Sequence, residues 1–261
     1  MRLRSVELEL PDVAKAAEFL AGVWGLIPAG ASGGTQFFRG TGDHSHILSI
    51  TQAPAPAVAA VTFSGPEVPK DFEVRGPENQ TYRFVQEKNR VEPIKDRDKP
   101  IQLTHVVLNS AEQDASERFA VEKLGFKVSD RTAHMRFVRC NRKHHCIAYA
   151  KAASPSLNHI AFEMQDMDAV MRGITRMKEA GYESVWGPGR HGPGNNVFGY
   201  FIAPWGGVIE YTAEISEVGD DYRVGSPDDW KWPPGRMDHW GLSTKNLAKT
   251  GPAEAVLRFK A

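Results

Sequence analysis

The N-terminal stretch alternates apolar and polar residues and then changes to a helical period. In RLRSVELEL, Val6, Leu8 and Leu10 alternate with Glu7 and Glu9. This alternation predicts a half-buried strand. After a polar turn, VAKAAEFLAGVWG has apolar residues three and four apart and stops at a glycine, which predicts a helix of about three turns. The chain therefore begins with a strand followed by an amphipathic helix.

The same order of elements recurs in the second half of the chain. QLTHVVLNSAEQDASERFAVEKLGF again reads as a strand, a polar turn and a helix. Further pairs follow in the same order: DHSHILSITQAPAP with KHHCIAYAKAASPS, AAVTFSG with NHIAFEM, and RGPENQTYRFV with IAPWGGVIEYT. Internal similarity of this kind indicates a duplicated unit.

We therefore predict an α+β fold of two tandem domains, each built from paired modules of one strand, one helix and three strands (βαβββ). The charged run VQEKNRVEPIKDRDKP separates the copies, so we assign residues 1–95 to an N-terminal domain and residues 96–261 to a C-terminal domain with a tail. The second copy predicts another helix over 167–180. The corresponding SGPEVPKDFEVRG leaves little room for one, so the N-terminal domain is shortened.

Comparison of the two copies singles out one candidate metal site. Residues of metal-ligand type in the second copy align with residues of other types in the first copy: His105 with Ser5, His159 with Ala60, and Glu210 with Arg83. The positive charge of Arg83, at the position that aligns with Glu210, would repel a metal ion. If these side chains converge, only the second domain binds one.

Two histidines and one carboxylate suit a divalent first-row metal, and open coordination positions beside such a set are typical of Fe(II) enzymes that use oxygen. Strand alternation places His105 on the face of Val107, and Glu210 on the face of Thr212. Each residue also has a simpler interpretation: a strand histidine is often a hydrogen-bonded core residue, and Glu210 could pair with Arg190 or Lys178.

The amino-acid composition argues against nucleic acid and membranes as partners. Thirty-two basic and thirty-two acidic residues cancel, so no net positive field attracts nucleic acid. The N-terminal stretch is interrupted by acidic residues, unlike a signal peptide, and no run of apolar residues is long enough to span a membrane. Two cysteines, Cys140 and Cys146, are few enough to suit a reducing compartment. We expect a cytoplasmic protein.

The second half resembles the catalytic domain of type I extradiol ring-cleavage dioxygenases, in the vicinal oxygen chelate superfamily, which open dihydroxybiphenyl and other catechols. The matching stretches are THVVL, FVRCNRKHHCIA, NHIAFEM and GRHGPGNNVFGYFIAPWGGVIEY. The resemblance covers nearly the whole chain, strongly over 104–213 and weakly in the N-terminal copy. It implies two tandem vicinal-oxygen-chelate domains.

The resemblance also implies roles for site residues. They are metal ligation by His105, His159 and Glu210; acid/base catalysis by His145; active-site roles for His191 and Tyr200; and substrate contacts by Phe137 and Asn195. The family often has an Asn-Asp pair directly after the GRH turn, whereas this chain has GPGNN, in which Asn195 or Asn196 supplies a similar amide.

Alternation adds two expectations beside that resemblance. It puts His145 on the inward face with Ile147 and Tyr149, and it puts His144 and Cys146 outward, with His144 exposed. The aromatic tail DDWKWPPGRMDHWG has no regular period. We expect it to wrap over a domain near the pocket mouth, or to bury a subunit contact.

The expected function is Fe(II)-dependent extradiol cleavage of a catechol with O2 in the degradation of aromatic compounds. The same ligand set accepts Mn(II). The expected partners are the catechol, O2 and further copies of the chain in a homo-oligomer, without nucleic acid or membrane. Two alternatives stay open: a metal-dependent isomerase or lyase of the same superfamily, and a non-enzymatic protein that binds an aromatic compound.

Overall fold

Two mixed β-sheets form the framework of the protein in the computed structural model, which describes residues 1–88 and 90–260. The first sheet contains β1 (Arg2–Leu10), β2 (Ile27–Ser32), β3 (Thr35–Arg39), β4 (Leu48–Gln52), β5 (Ala57–Gly65), β6 (Phe72–Arg75), β7 (Thr81–Gln86) and β16 (Arg258–Phe259). The second contains β8 (Gln102–Ser110), β9 (Lys127–Arg131), β10 (Met135–Arg139), β11 (Ile147–Lys151), β12 (Ser156–Glu163), β13 (Trp186–Arg190), β14 (Val197–Ile202) and β15 (Val208–Ala213). The helices are α1 (Val13–Phe19), α2 (Gln113–Glu122), α3 (Met167–Glu179) and α4 (Leu247–Ala253).

The second sheet has the order β13-β14-β15-β12-β8-β11-β10-β9. Its chain order, β8-α2-β9-β10-β11 and then β12-α3-β13-β14-β15, is the predicted pair of βαβββ modules. The first sheet has the order β2-β3-β4-β1-β5-β7-β6, with β16 beside β5. Among the described residues, no helix lies between β5 and β6, so the N-terminal unit is shortened as predicted.

The strand register confirms the alignment of the two copies. In the second sheet Ala161 pairs with both His105 and Glu210. In the first sheet the equivalent residue, Thr62, pairs with Ser5 and Arg83. The third pair agrees as well, because β5 and β12 place Ala60 and His159 at equivalent positions.

An ion-pair network stands in the first sheet where the second has its candidate metal ligands. The Nε of Arg83 donates to Glu73 at 2.7 Å, and the same guanidinium bonds the carboxylate of Glu7. The first sheet has the Arg83 cation where the second sheet has the Glu210 carboxylate. The first copy therefore keeps the strand positions but lacks the metal-ligand residues.

Helix α3 sets the position of strand β15. It begins at Met167 and is capped by Asp166, whose side chain accepts a hydrogen bond from Ala169 N–H at 2.8 Å; its buried face includes Val170 and Gly173. A Cβ at Gly173 would lie 2.9 Å from the ring of Tyr211, so only glycine allows α3 this close to β15. The prediction of this helix is confirmed. Within the described residues, no helix is long and apolar enough to cross a membrane.

The two halves share one hydrophobic core. The indole of Trp24, in the π-helical turn after α1, stacks on the Tyr211 ring with the centroids 3.6 Å apart. The Tyr211 hydroxyl donates to the Trp24 carbonyl at 2.6 Å, and the hydroxyls of Tyr82 and Tyr149 lie 3.1 Å apart. Because strand β16 also returns to the first sheet, the domain boundary at residue 95 stays a prediction.

Candidate metal centre and active site

The three predicted ligands meet in the middle of the second sheet. His105 lies on β8, His159 on β12 and Glu210 on β15, which are adjacent strands. All three side chains are buried, and one ligand atom from each lies within 4.8 Å of the others. The partner of Glu210 is therefore this histidine pair, and the alternative pairings with Arg190 and Lys178 are wrong: Arg190 binds Glu214, and Lys178 contributes no atom to this cluster.

Hydrogen bonding behind His159 fixes which nitrogen of its ring is protonated. Its Nδ1 lies 2.8 Å from Asn158 Oδ1, and the Asn158 amide is oriented by donating to Asn109 Oδ1 at 2.8 Å. Nδ1 must then donate, which leaves a lone pair on Nε2. That lone pair faces Glu210 Oε2 at 3.2 Å, and neither atom has a hydrogen-bond partner among the described residues.

A divalent metal would account for this arrangement. Two acceptor atoms facing each other at such a distance repel unless a cation lies between them. The Nε2 of His105 lies 3.3 Å from the same carboxylate oxygen. Ligand atoms each about 2.1 Å from an ion and at right angles to it lie about 3 Å apart. The spacing of the side chains therefore fits a metal ion, and these residues would hold it.

The protonation states suit metal binding. Burial by itself would raise the pKa of Glu210, but the imidazoles of His105 and His159 hold that pKa well below its usual range. Burial also lowers the pKa of His159 below 6.5. At neutral pH the carboxylate is charged and this imidazole is neutral, which are the forms that bind metals.

Addition of Mn(II), or of Fe(II) without oxygen, to metal-free protein should raise its melting temperature. At a metal concentration of one hundred times Kd, binding contributes about 2.7 kcal/mol, which corresponds to a rise of roughly 5–10 °C for a chain of this size. Differential scanning fluorimetry measures the melting temperature. Ca(II) is the control because this ion prefers oxygen ligands. A melting temperature unchanged by every transition metal would contradict the site.

A cavity of about 280 Å³ opens beside the metal ligands. The residues predicted to act in catalysis or substrate binding that line it with His105 and His159 are His145, His191, Tyr200 and Phe137. The structure thus brings together these predicted site residues with two of the metal ligands, although they come from separate strands and turns.

Among the residues predicted to act in catalysis or substrate binding, Asn195 does not line this cavity. It is exposed, in a left-handed turn with φ 53°, and its carbonyl accepts from Arg190 at 2.7 Å. The neighbouring Asn196 is buried instead, and its amide donates to Thr212 Oγ1 at 2.7 Å and lies 3.4 Å from Glu210 Oε1. The turn spans 192–195, and Asn196 already pairs with His191 beyond it, so the amide near the ligand set is that of Asn196.

His144 is buried, so the expectation that it is exposed is wrong. Regular pairing of β11 begins only at Ile147, and alternation does not extend back to His144 and His145. For the same reason His145 lines the cavity with Ala150 and does not share a face with Ile147, which lies in the main hydrophobic core. The inward position of His145 was predicted correctly, but for a wrong reason.

A hydrogen-bonded chain runs from Asp130 through His144 to His145. The Nε2 of His144 lies 2.8 Å from Asp130 Oδ2, and the Nδ1 atoms of the two histidines lie 3.0 Å apart. Asp130 is fully buried and also accepts from Gly225 N–H at 2.7 Å and from the Tyr222 hydroxyl at 3.2 Å. Nothing in the sequence pattern around Asp130 distinguished it from other strand-end acids.

This chain determines the proton positions. A carboxylate can only accept, so Nε2 of His144 carries the proton and donates it. When the His144 ring carries a single proton, its Nδ1 accepts from Nδ1–H of His145. The Nε2 of His145 is then left with a free lone pair in the cavity, as a general base requires. Burial, reinforced by the neighbouring imidazole of His105, lowers the pKa of His145, which keeps it neutral.

His191 and Tyr200 form a second hydrogen-bonded pair at the cavity. The Nε2 of His191 lies 2.9 Å from the Tyr200 hydroxyl, and the His191 ring stacks on Phe198 with the centroids 4.0 Å apart. Burial lowers the pKa of His191 to about 3 and raises that of Tyr200. At neutral pH both groups are uncharged, so the pair offers a hydrogen bond without an additional charge.

The aromatic tail reaches the cavity, in agreement with the first of its two expectations. Trp230, Trp232, Met237 and Lys245 all contribute to the cavity wall. The final helix α4 and strand β16 were not predicted, because the tail shows no hydrophobic period.

Residues 102–211, which include the whole ligand set, match the Glyoxalase/Bleomycin resistance protein/Dioxygenase superfamily. The crystal structure of an Mn(II)-bound glyoxalase from Novosphingobium aromaticivorans superposes with a TM-score of 0.85 at 30% sequence identity, covering 95% of this chain and 92% of that one. The chain belongs to this superfamily.

Other similar proteins are a metapyrocatechase and several dioxygenases. Metapyrocatechase 2 from Cupriavidus necator is 32% identical over 139 residues, which are 52% of this chain and 41% of that enzyme. Each curated relative is matched over less than half of its own length. Homoprotocatechuate 2,3-dioxygenase from Arthrobacter globiformis has the same fold, with a TM-score of 0.84 at 22% identity, covering 100% of this chain and 92% of that one.

Proposed function

We propose that the protein is an extradiol dioxygenase, which opens a catechol ring beside its two hydroxyls and adds both atoms of O2 to the product. The observation that carries this proposal is the position of His145, which is held by the Asp130–His144 chain and lines the same cavity as the ligand histidines. Ring cleavage needs a base at that place, because a catechol must lose a phenolic proton to react.

We propose Fe(II) as the metal, with Mn(II) as the alternative. When bound, a divalent ion with open coordination positions supplies a common site for catechol and dioxygen and a path for charge between them. His105, His159 and Glu210 would hold it through one atom each. Ligands from three adjacent strands leave the cavity side open for the reactants.

The remaining cavity residues would bind and orient the substrate. His145 takes a phenolic proton at Nε2 and returns it as the ring opens. The His191–Tyr200 pair donates a hydrogen bond towards the reacting oxygens, and the Phe137 ring packs against the aromatic ring of the substrate. The largely apolar walls exclude water and thereby strengthen these polar contacts. The contact assigned to Asn195 lacks such support, because this side chain lies outside the cavity.

Oxygen uptake tests the proposal directly. Protein loaded anaerobically with Fe(II) should consume O2 with catechol, 3-methylcatechol or 2,3-dihydroxybiphenyl, in a one-to-one ratio with a yellow ring-opened product. An oxygen electrode and a spectrophotometer measure both quantities. Tightly bound metal without oxygen uptake on any catechol would refute the proposal.

A second candidate function is a metal-dependent isomerase or lyase, because the Novosphingobium relative is described as a glyoxalase. The His145→Ala variant separates the two. It should remove oxygen uptake by a dioxygenase, whereas an isomerase that uses only the metal ligands should keep most of its activity. Stoichiometric metal binding would count against the third alternative, a non-enzymatic aromatic-binding protein. The homo-oligomeric state and the cytoplasmic location stay predictions.

A further inference from the structure

Part of the cavity wall comes from the segment 226–246, which we call the C-terminal wall segment. Trp230 and Trp232 line the cavity, and Met237 lies at its exposed rim. The turn between β9 and β10 adds Thr132, Ala133 and His134 to the same lining, and strand β10 adds Met135. This part of the cavity is therefore mainly apolar and aromatic.

Hydrogen bonds hold the wall segment along β13, the strand that leads to His191, and along the residue before that strand. They run from His239 N–H to the Arg190 carbonyl at 2.7 Å, from Gly187 N–H to Ser243 Oγ at 2.9 Å, and from Asn246 N–H to the Val185 carbonyl at 2.9 Å. The Arg190 guanidinium also lies 5.2 Å from the Trp240 ring centroid. These contacts place the wall segment against β13.

Gly192 allows the indoles to reach the site. A Cβ at this position would lie 2.3 Å from Cζ2 of Trp232 and 3.2 Å from Cε3 of Trp230. The absent side chain lets both rings lie against the backbone immediately after His191. The indoles are therefore next to the residues proposed to bind the catechol.

The charge distribution of this cavity disfavours anionic substituents. Among the described residues that line it, Lys245 is the one lysine or arginine. Its Nζ lies 2.5 Å from Glu254 Oε1 and 5.5 Å from the Trp186 ring centroid. Because Glu254 already neutralises it, a carboxylate entering the cavity would lose its hydration without gaining a free cation.

We propose that the C-terminal wall segment selects catechols that carry an apolar substituent, and that Trp230 and Trp232 contact this substituent. The inference rests on the proposed function for the catechol part of the ligand, and it adds the class of substituent and the residues that recognise it. Indole rings bury a large apolar area and lose little conformational entropy when they do so.

The test compares two catechols of similar length: 3-butylcatechol and 3-(2,3-dihydroxyphenyl)propanoate. Each is titrated without oxygen into Mn(II)-loaded protein, and quenching of tryptophan fluorescence reports binding. The butyl compound should bind at least about tenfold more tightly, which is the effect of one or two buried methylenes. Equal or tighter binding of the propanoate would overturn the inference.

Variants of the C-terminal wall segment test whether it causes the preference for the butyl compound. Trp232→Ala should reduce the affinity ratio of the two ligands about tenfold, and Trp232→Phe should restore most of it because an apolar ring remains. Leu242→Ala is the matched control: this residue lies in the same segment, is 71% exposed and does not line the cavity, so the ratio should not change. A ratio unchanged in Trp232→Ala and in Trp230→Ala would also overturn the inference.

Parallel oxygen-uptake assays separate this inference from the proposed function. Oxygen uptake on catechols without any preference for the butyl compound would refute the selectivity and leave the proposed function intact. A clear binding preference without oxygen uptake on either compound would support the selectivity and refute the dioxygenase.

Discussion

Replacing Glu210 with alanine is expected to abolish metal binding and the proposed ring cleavage together. Glu210 is fully buried, and its Oε2 faces the Nε2 atoms of both ligand histidines. Loss of a residue behind a ligand typically costs about 10-fold to 100-fold in metal affinity, so loss of the charged ligand itself should cost more than about 100-fold. Metal analysis after dialysis and oxygen uptake measure the two effects.

The matched control is Glu163→Ala. Glu163 lies on β12, in the same sheet, but it accepts from Gln102 at 2.6 Å and pairs with Lys143 outside the cavity. This variant should keep metal content and turnover close to those of the unmodified protein. Full metal content in Glu210→Ala would show that the ion is held elsewhere.

Asp130→Asn is expected to lower kcat by about 100-fold to 10,000-fold, the usual contribution of a positioned acid or base. The amide oxygen keeps the hydrogen bond from Gly225 N–H, so the amide NH2 group faces His144. His144 must then accept at Nε2 and donate from Nδ1. The proton on His145 is then on Nε2 and not on Nδ1. The Nε2 atom therefore has no free lone pair in the cavity.

Three measurements distinguish this effect from loss of structure. Anaerobic affinity for catechol should change little, because Asp130 does not line the cavity. The double variant Asp130→Asn/His145→Gln should be no slower than His145→Gln alone, since residues that act as a unit are not additive. Tyr222→Phe, which removes one neutral donor to Asp130, should lower kcat less than about tenfold. Additive losses in the double variant would contradict the relay.

The repeat explains why the metal ligands were predictable. Ligand residues on strands β8, β12 and β15 obey alternation, so their facing direction is a local property of the sequence. The first copy supplied a reference in which each ligand is replaced, and the strand registers confirm that alignment. Phe137 and Tyr200 also lie in regular strands, and both line the cavity.

The expectation that His144 is exposed was wrong because the chain is irregular at this point. His144 and His145 precede β11, so strand alternation does not apply to them. The environment of His144 depends on Asp130, which belongs to a different strand, and that of Asp130 depends on Gly225 and Tyr222 in the tail.

The sequence by itself determined the duplicated α+β architecture, the shortened first unit and the His-His-Glu ligand set. These follow from hydrophobic period and internal similarity, which are readable along the chain. Only the tertiary structure decided that Asn196 and not Asn195 lies near the ligands, that Asp130 and His144 set the proton on His145, and that the tryptophans of the tail form a cavity wall. These features depend on contacts between distant segments, and no local pattern specifies such contacts.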